Sequence, residues 1–383
     1  SKTTDSYSLT ITYANLTDVD QSVDMGSTLS IRVNIDEAIV TWNSAPEGTL
    51  LYAIKKDNTV TEPLTSPGNE VSSETEAVLA STEDDYGNSY YFRGNVKNNF
   101  VNFSGMCWRI VRVQGDGSIK LILEDQDSTC ATSDGNWNIP TTTGGTTKTG
   151  NFGYTQHAAN TLTASDGTTN SSEKYLMNYL NGGTNKENAM VTAFENFQTG
   201  PLSEYLSYLK SGDWCPNDKA YATETDNTTA LTSQEILDKQ IKGTYGTFIY
   251  YNSHVRLYGK ATKEPILKCN GTNMSKFADN TDMYVGTLTA DEIVYAGGKV
   301  GEANLNYYLI NDYQKSNNLY FWALSNDIFD GNSSFAFVVF PAGYFYNDFN
   351  VSEEYSFRPS INLLSNTKIT GGNGTQENPY VVN

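Results

Sequence analysis

Histidine is almost missing from this chain of 383 residues: only His157 and His254 occur, and neither lies in a His-x-x-x-His or comparable ligand spacing. That removes a histidine-based zinc site from the expected chemistries, because zinc needs several side chains converging at short spacing. Each histidine is read as an ordinary polar or surface residue. Nucleophile and phosphate signatures are missing too: there is no Gly-x-Ser-x-Gly elbow, no phosphate-binding glycine loop ahead of a Lys, and no dinucleotide fingerprint. Basic residues are in short supply. With 25 Lys and Arg against 44 Asp and Glu, the net charge of -19 repels nucleic-acid phosphates and anionic membrane surfaces. Nor does any run approach the roughly 20 apolar residues that span a bilayer. Neither a nucleic-acid partner nor a transmembrane segment is expected. No signal peptide precedes Ser1 and no sorting motif stands near Asn383, which suits a mature or trimmed form.

What the chain does have is uncharged polarity and rings. Charged residues make up only 18%, while Thr, Ser, Asn, Gly and 26 tyrosines build the surface, a balance common in cell-surface β proteins. Four cysteines, Cys107, Cys130, Cys215 and Cys269, stand at wide spacing with no Cys-x-x-Cys pair. An even number so spaced points to disulfides in an oxidising compartment, and hence to an extracellular location. Of the three pairings, Cys107 with Cys130 is favoured because the turn Gln114-Gly115-Asp116-Gly117 folds one back toward the other. Cys215 with Cys269 then follows by elimination.

Periodicity predicts an α+β fold: an N-terminal β-sandwich, Ig-like or pilin-like, over residues 1–80, then a larger mixed domain over 81–383 with a subdivision near 285. Alternating apolar residues at Tyr7, Leu9, Ile11 and Tyr13, and again at Leu29, Ile31, Val33 and Ile35, read as half-buried strands, with Leu50 to Tyr52 as a further one. Aromatic strands follow around Tyr90 to Phe92 and Phe100 to Phe103. The firmest hairpin joins Cys107–Val113 to Ile119–Leu123. Residues 125–170 read as a long surface excursion. Helices are expected where Tyr175, Leu176, Tyr179 and Leu180, and Leu202, Tyr205, Leu206 and Leu209, share a face. Thr232 with Glu235 and Thr289 with Glu292 have capping-box spacing at two more helix starts. Late strands are expected at Tyr320–Leu324, Phe335–Phe340, Gly343–Tyr346, Phe357–Leu363 and Pro379–Val382.

Candidate chemistry is sparse. Acidic pairs such as Asp327 with Asp330 or Glu353 with Glu354 are the residue types of a glycoside hydrolase, but spacing alone does not bring them together. The same Asp327 and Asp330, and the run Asp18, Asp20, Asp24, offer oxygen ligands for calcium without the closing Glu of a calcium loop. No other cofactor is expected. Trp214 and Trp322, with Asp327 and Asp330 nearby in the chain, are the candidate ligand-binding residues, since exposed rings make stacking platforms.

Several segments together resemble a group of uncharacterised exported surface proteins of gut Bacillota: Tyr90-Tyr-Phe-Arg-Gly-Asn95 running into Trp108-Arg-Ile-Val-Arg112, Leu288-Thr-Ala-Asp-Glu292, Arg358-Pro-Ser-Ile-Asn-Leu363, and Gly371-Gly-Asn-Gly-Thr375 with Asn378-Pro-Tyr-Val-Val382. The order Trp322, Gly343, Arg358-Pro359 is also similar to the late core of C-type-lectin-like modules. The first resemblance implies an extracellular, bacterial cell-surface location and supplies no catalytic residue; the second implies structural roles for Trp322 and Arg358, and Trp108 is read as structural as well. The function expected is a non-catalytic surface protein: a subunit of a pilus-like filament, or an adhesin. Self-association by β-strand addition would use Leu9, Ile11 and Tyr13 or Tyr380 and Val381. The alternative is a lectin-like module binding a host or surface glycan or a protein; a secreted hydrolase comes third.

Overall fold

The computed structural model describes residues 41–69, 71, 75–138, 140–143, 146–149, 155–158, 164–168, 174–177, 189–215, 219–269, 275–277, 281–351, 353 and 355–382. The chain divides into two units, Ser1–Ala38 and Ile39–Asn383. Leu9, Ile11 and Tyr13, the strand expected at Leu29 to Ile35 and the aspartates at 18, 20 and 24 therefore lie outside the described residues. The expected boundary near residue 80 moves to between Ala38 and Ile39. The physical reason is that Leu50, Leu51 and Ile54 are fully buried in the core of the larger unit.

Two sheets build that unit, a mixed α+β structure made mostly of strands. The chain opens with α1 (Leu50–Asp57), then β1 (Ala77–Asp84), β2 (Gly87–Gly94), β3 (Phe100–Phe103), β4 (Met106–Val113) and β5 (Ile119–Asp125). Short strands β6 (Pro140–Thr143) and β7 (Thr146–Thr149) form one hairpin, β8 (Thr155–Ala158) and β9 (Lys174–Met177) another. Next come α2 (Ala189–Thr199), β10 (Ala220–Tyr221), α3 (Ser233–Lys242), β11 (Ile249–Tyr251), α4 (Asn252–His254), β12 (Val285–Gly286), α5 (Ala290–Ala296) and α6 (Asp312–Ser316). The late strands are β13 (Phe321–Phe329), β14 (Ser334–Val339), β15 (Phe345–Asn350), β16 (Ser360–Leu363), β17 (Ile369–Gly371) and β18 (Tyr380–Val382).

The first sheet runs β12-β16-β5-β4-β3-β18-β17, with β2 on the far end of β4 and β1 beyond it. Every residue of β4 and β5 is buried. A strand covered on both faces must bury whatever polar groups it carries, and here those groups are Arg109, Arg112, Lys120, Glu124 and Asp125. Each then needs a partner, because an unpaired charge in an apolar interior is very costly. The second sheet, β10-β11-β13-β14-β15, is antiparallel throughout. Thr287 ties the two together: its hydroxyl donates to the carbonyls of Trp322 and Arg358, at 3.3 and 3.0 Å.

Both capping boxes form, at Thr232 with Glu235 and at Thr289 with Glu292. Other helix and strand expectations need correction. Leu50 to Tyr52 open a helix rather than a strand: the Thr49 hydroxyl accepts the Tyr52 N–H at 3.2 Å, and Leu50, Leu51 and Ile54 share a helical face. Tyr175 and Leu176 belong to a strand, His157 facing Tyr175 in its register. Leu202 to Leu209 form turns ending in a 3-10 helix, Leu206–Tyr208, because α2 stops just before Pro201. The stretch after Asp125 is no bare excursion either. The Asp125 carboxylate gathers the Ser133 hydroxyl and the N–H groups of Asp134 and Gly135 at 2.9–3.2 Å, and Trp137 is fully buried.

Candidate functional site

The candidate site is built where β11 meets β13. Tyr250 pairs with Ile328, and the chain then turns at once into α4, which carries His254 back over the strand. The β13–β14 pairing slips between Trp322 and Asn326 and again before Phe329. Such irregularities re-aim a side chain, and Asp327 ends up fully buried. Its Oδ1 lies 2.6 Å from His254 Nδ1 and accepts a bond from Asn347 Nδ2 of β15 at 3.2 Å. On the other side, His254 Nε2 sits 3.2 Å from Glu224 Oε1, a carboxylate that reaches solvent. The rings of Tyr250 and Tyr258 flank the imidazole at 5.4 and 5.1 Å.

Burial works against charge on both members of the inner pair, pulling the ring down and pushing the Asp327 carboxyl up. For the ring, the hydrogen bond and charge of Asp327, and then those of Glu224, prevail, and its pKa is raised. Next to Asn347, Asp348 points outward, its carboxyl pushed up by partial burial and by the charge of Asp330. Acidic groups and an imidazole thus gather at one end of the second sheet.

An aromatic row continues from there. Tyr344 and Tyr346, each 38% exposed, lie 5.8 Å apart, centroid to centroid. Phe340 joins Tyr346 at 5.8 Å and Phe349 at 5.0 Å, and Tyr320 and Tyr355 close the patch at 4.7 and 5.5 Å from Phe340 and Phe349 respectively. The Tyr355 hydroxyl contacts Glu353. These are the edge-to-face and tilted arrangements that aromatic rings prefer.

The sequence-predicted residues fare unevenly. Trp214 and Trp322 are completely buried, so neither is a platform for a ligand. The indole of Trp214 donates to Met283 O at 3.2 Å, while Trp322 packs edge-on against Tyr355 at 5.1 Å. Asp327 and Asp330 do not form one site: Asp330 spends Oδ1 on the N–H groups of Asn332 and Ser333 in a turn, both at 2.8 Å. Trp108 is buried. Arg358 is buried too, donating to the carbonyls of Leu123 and Leu309 and to Glu124, at 2.7, 2.6 and 2.8 Å. Tyr380 and Val381 pair in parallel with Val101 and Asn102 and antiparallel with β17, so this terminus is already consumed inside its own sheet. Disulfides join Cys107 to Cys130 and Cys215 to Cys269, with Cα separations of 4.7 and 5.1 Å. Among the described residues, no group of three or more His, Cys, Asp or Glu is placed to hold a metal ion, and no helix is long and apolar enough to cross a membrane.

Sequence reasoning missed His254. Its partners stand 30 and 73 residues away, and the two-residue pairings of β10 with β11 and of β11 with β13 bring them together. It also missed the tyrosine row, whose one sequence signal is the alternation of Tyr344, Tyr346 and Asp348 outward with Phe345 and Asn347 inward. Comparison with protein-family models, curated proteins and solved structures returned no match.

Proposed function

We propose that the chain is a non-catalytic extracellular protein of a bacterial surface, an adhesin that binds carbohydrate on the tyrosine-lined face of its second sheet. The observation that carries this reading is the continuous row Tyr344, Tyr346, Phe340, Phe349, Tyr320 and Tyr355 with acids at its margin. A sugar presents apolar C–H faces and a rim of hydroxyls. Rings match the first, and carboxylates such as Asp348 and Glu353 accept from the second. Two disulfides support the extracellular location, since they persist in oxidising compartments. Buried Trp322 and Arg358 support the C-type-lectin-like reading of the late half, whose resemblance implies packing and bracing roles for them. A structural role for His254 fits the non-catalytic reading, since its two ring nitrogens are both engaged by carboxylates. Filament assembly through Tyr380 and Val381 has lost its basis, and strand addition now rests on Leu9, Ile11 and Tyr13 alone.

Glycan-array binding by the full chain, beside Tyr344→Ala and Tyr346→Ala, tests the proposal. Both tyrosines are partly exposed, so the variants keep the core. Wild-type binding that weakens about tenfold per lost ring, ~1.4 kcal/mol, is expected. No glycan retained by the wild type, or equal retention by the variants, overturns it.

A further inference from the structure

Lys120 and Asn362 face each other directly across the pair β5 and β16, and both are completely buried. Opposed residues of antiparallel strands point to the same side with Cβ atoms about 4.5–5.5 Å apart, within the reach of a lysine stem. Their ends are anchored on consecutive peptide units: Asn362 Nδ2 donates to Gly212 O at 2.8 Å and Lys120 Nζ to Asp213 O at 3.1 Å. The same Nζ donates to Glu292 Oε1 at 2.7 Å under the indole of Trp214, 4.7 Å from the ring centroid. On the amide side, Asn362 Oδ1 accepts from Gln114 Nε2 at 3.2 Å, and Arg112 donates to the Gln114 oxygen at 3.0 Å. A nucleophile with a carboxylate touching it and a carboxamide with a donor on its oxygen thus stand on opposed residues of neighbouring strands, in a site closed to water. Burial lowers the Lys120 pKa and so eases loss of its proton; the charges of Lys120 and Arg112 keep Glu292 ionised against its own burial, and that of Arg112 remains once the amine is neutral.

We propose that Lys120 and Asn362 join in an intramolecular isopeptide bond formed by the folded chain itself, with Glu292 as the proton carrier. The neutral Lys120 amine attacks Cγ of Asn362, and the new Nζ–Cγ bond forms as charge builds on Oδ1 beside Gln114 Nε2. The Glu292 carboxylate takes a proton from Nζ and passes it to Nδ2. The Cγ–Nδ2 bond then breaks and ammonia leaves, carrying away as ammonium the proton that a charged lysine first brought. No oxidant, reductant or external group takes part. The link would staple the β4–β5 hairpin to β16 and shrink the unfolded ensemble as a disulfide does.

Intact mass spectrometry of the reduced full-length protein decides the matter, followed by peptide mapping and a Glu292→Gln variant, which keeps the side-chain shape. The expected result is a wild-type mass one ammonia below that of the sequence, a branched peptide containing Lys120 and Asn362, and full mass for the variant. A wild-type mass equal to the sequence overturns the bond and leaves Lys120 and Glu292 as a buried ion pair only. So does an ammonia loss that maps elsewhere, as to a succinimide at an asparagine. Loss of ammonia retained in Glu292→Gln overturns the role of the glutamate. If that variant fails to fold, the wild-type mass and the branched peptide still decide the bond.

Discussion

At the scale of single residues, the arginines buried in the first sheet follow one rule: each is held by acceptors from other segments of the chain. Arg112 meets Glu292 at 3.0 Å and Asp84 at 2.9 Å, and Arg93 meets Glu76 at 3.3 Å. His254 obeys the same rule with a pH-dependent consequence. Its folded pKa is raised above the unfolded value of 6.5. The stability contributed by its charged form is therefore fully present below about pH 6.5 and is lost as pH rises through the folded pKa. An NMR titration is simple here, because His157 is the one other histidine. His254 is expected to titrate above the unfolded value, with the urea midpoint falling as pH rises through that point. Titration at or below 6.5 would mean that the ring is held neutral between its carboxylates.

At the scale of elements, what could be read from the sequence was whatever is local. The hairpin β4–β5 and the two capping boxes are decided by side chains within a few residues of one another, and they stand where spacing placed them. Elements whose apolar pattern fits two states were misread. Leu50-Leu51-Tyr52 is a strand by composition and a helix by its Thr49 cap, and Tyr175-Leu176 pairs as a strand although its spacing also suits a helical face. The C-terminal strand carries a prediction at this scale. Residues 380–382 fill the gap between β3 and β17, with Tyr380 fully buried and bonded to Asp57 at 3.0 Å. Deleting them uncovers both neighbours and removes a large core side chain, at a cost of about 3–5 kcal/mol. Urea unfolding is expected to show that loss. A truncated protein as stable as the full chain would mean that the segment packs elsewhere.

At the scale of the whole molecule, two covalent clamps hold loops of different kinds. Cys107–Cys130, separated by 23 residues, ties the excursion after β5 back to β4, whereas Cys215–Cys269, separated by 54, spans the region containing β10, α3, β11 and α4. The second loop holds His254 and Glu224, so its closure and the candidate site are linked. Each bridge is expected to contribute about 2–4 kcal/mol, chiefly by restricting the unfolded chain. Urea titration of a Cys215→Ala, Cys269→Ala double variant is expected to show that loss together with a lower His254 pKa. An unchanged pKa would mean that the imidazole is held by its strand and helix alone.

By itself the sequence determined the class of protein: acidic, rich in uncharged polar side chains, disulfide-capable and largely β. Those properties are sums or short-range patterns, and a sum needs no coordinates. It also determined the β4–β5 hairpin and the two helix starts marked by capping boxes, where the interacting groups are neighbours in the chain. Only the tertiary structure decided that Trp214 and Trp322 are core, that Tyr380 is spent inside its own sheet, that His254 lies between two carboxylates, and that Lys120 faces Asn362. Each is a contact between residues from about 30 to more than 200 positions apart, or a choice between burial and exposure. Such contacts are set by strand order and register, and a one-residue slip in either turns every side chain to the opposite face.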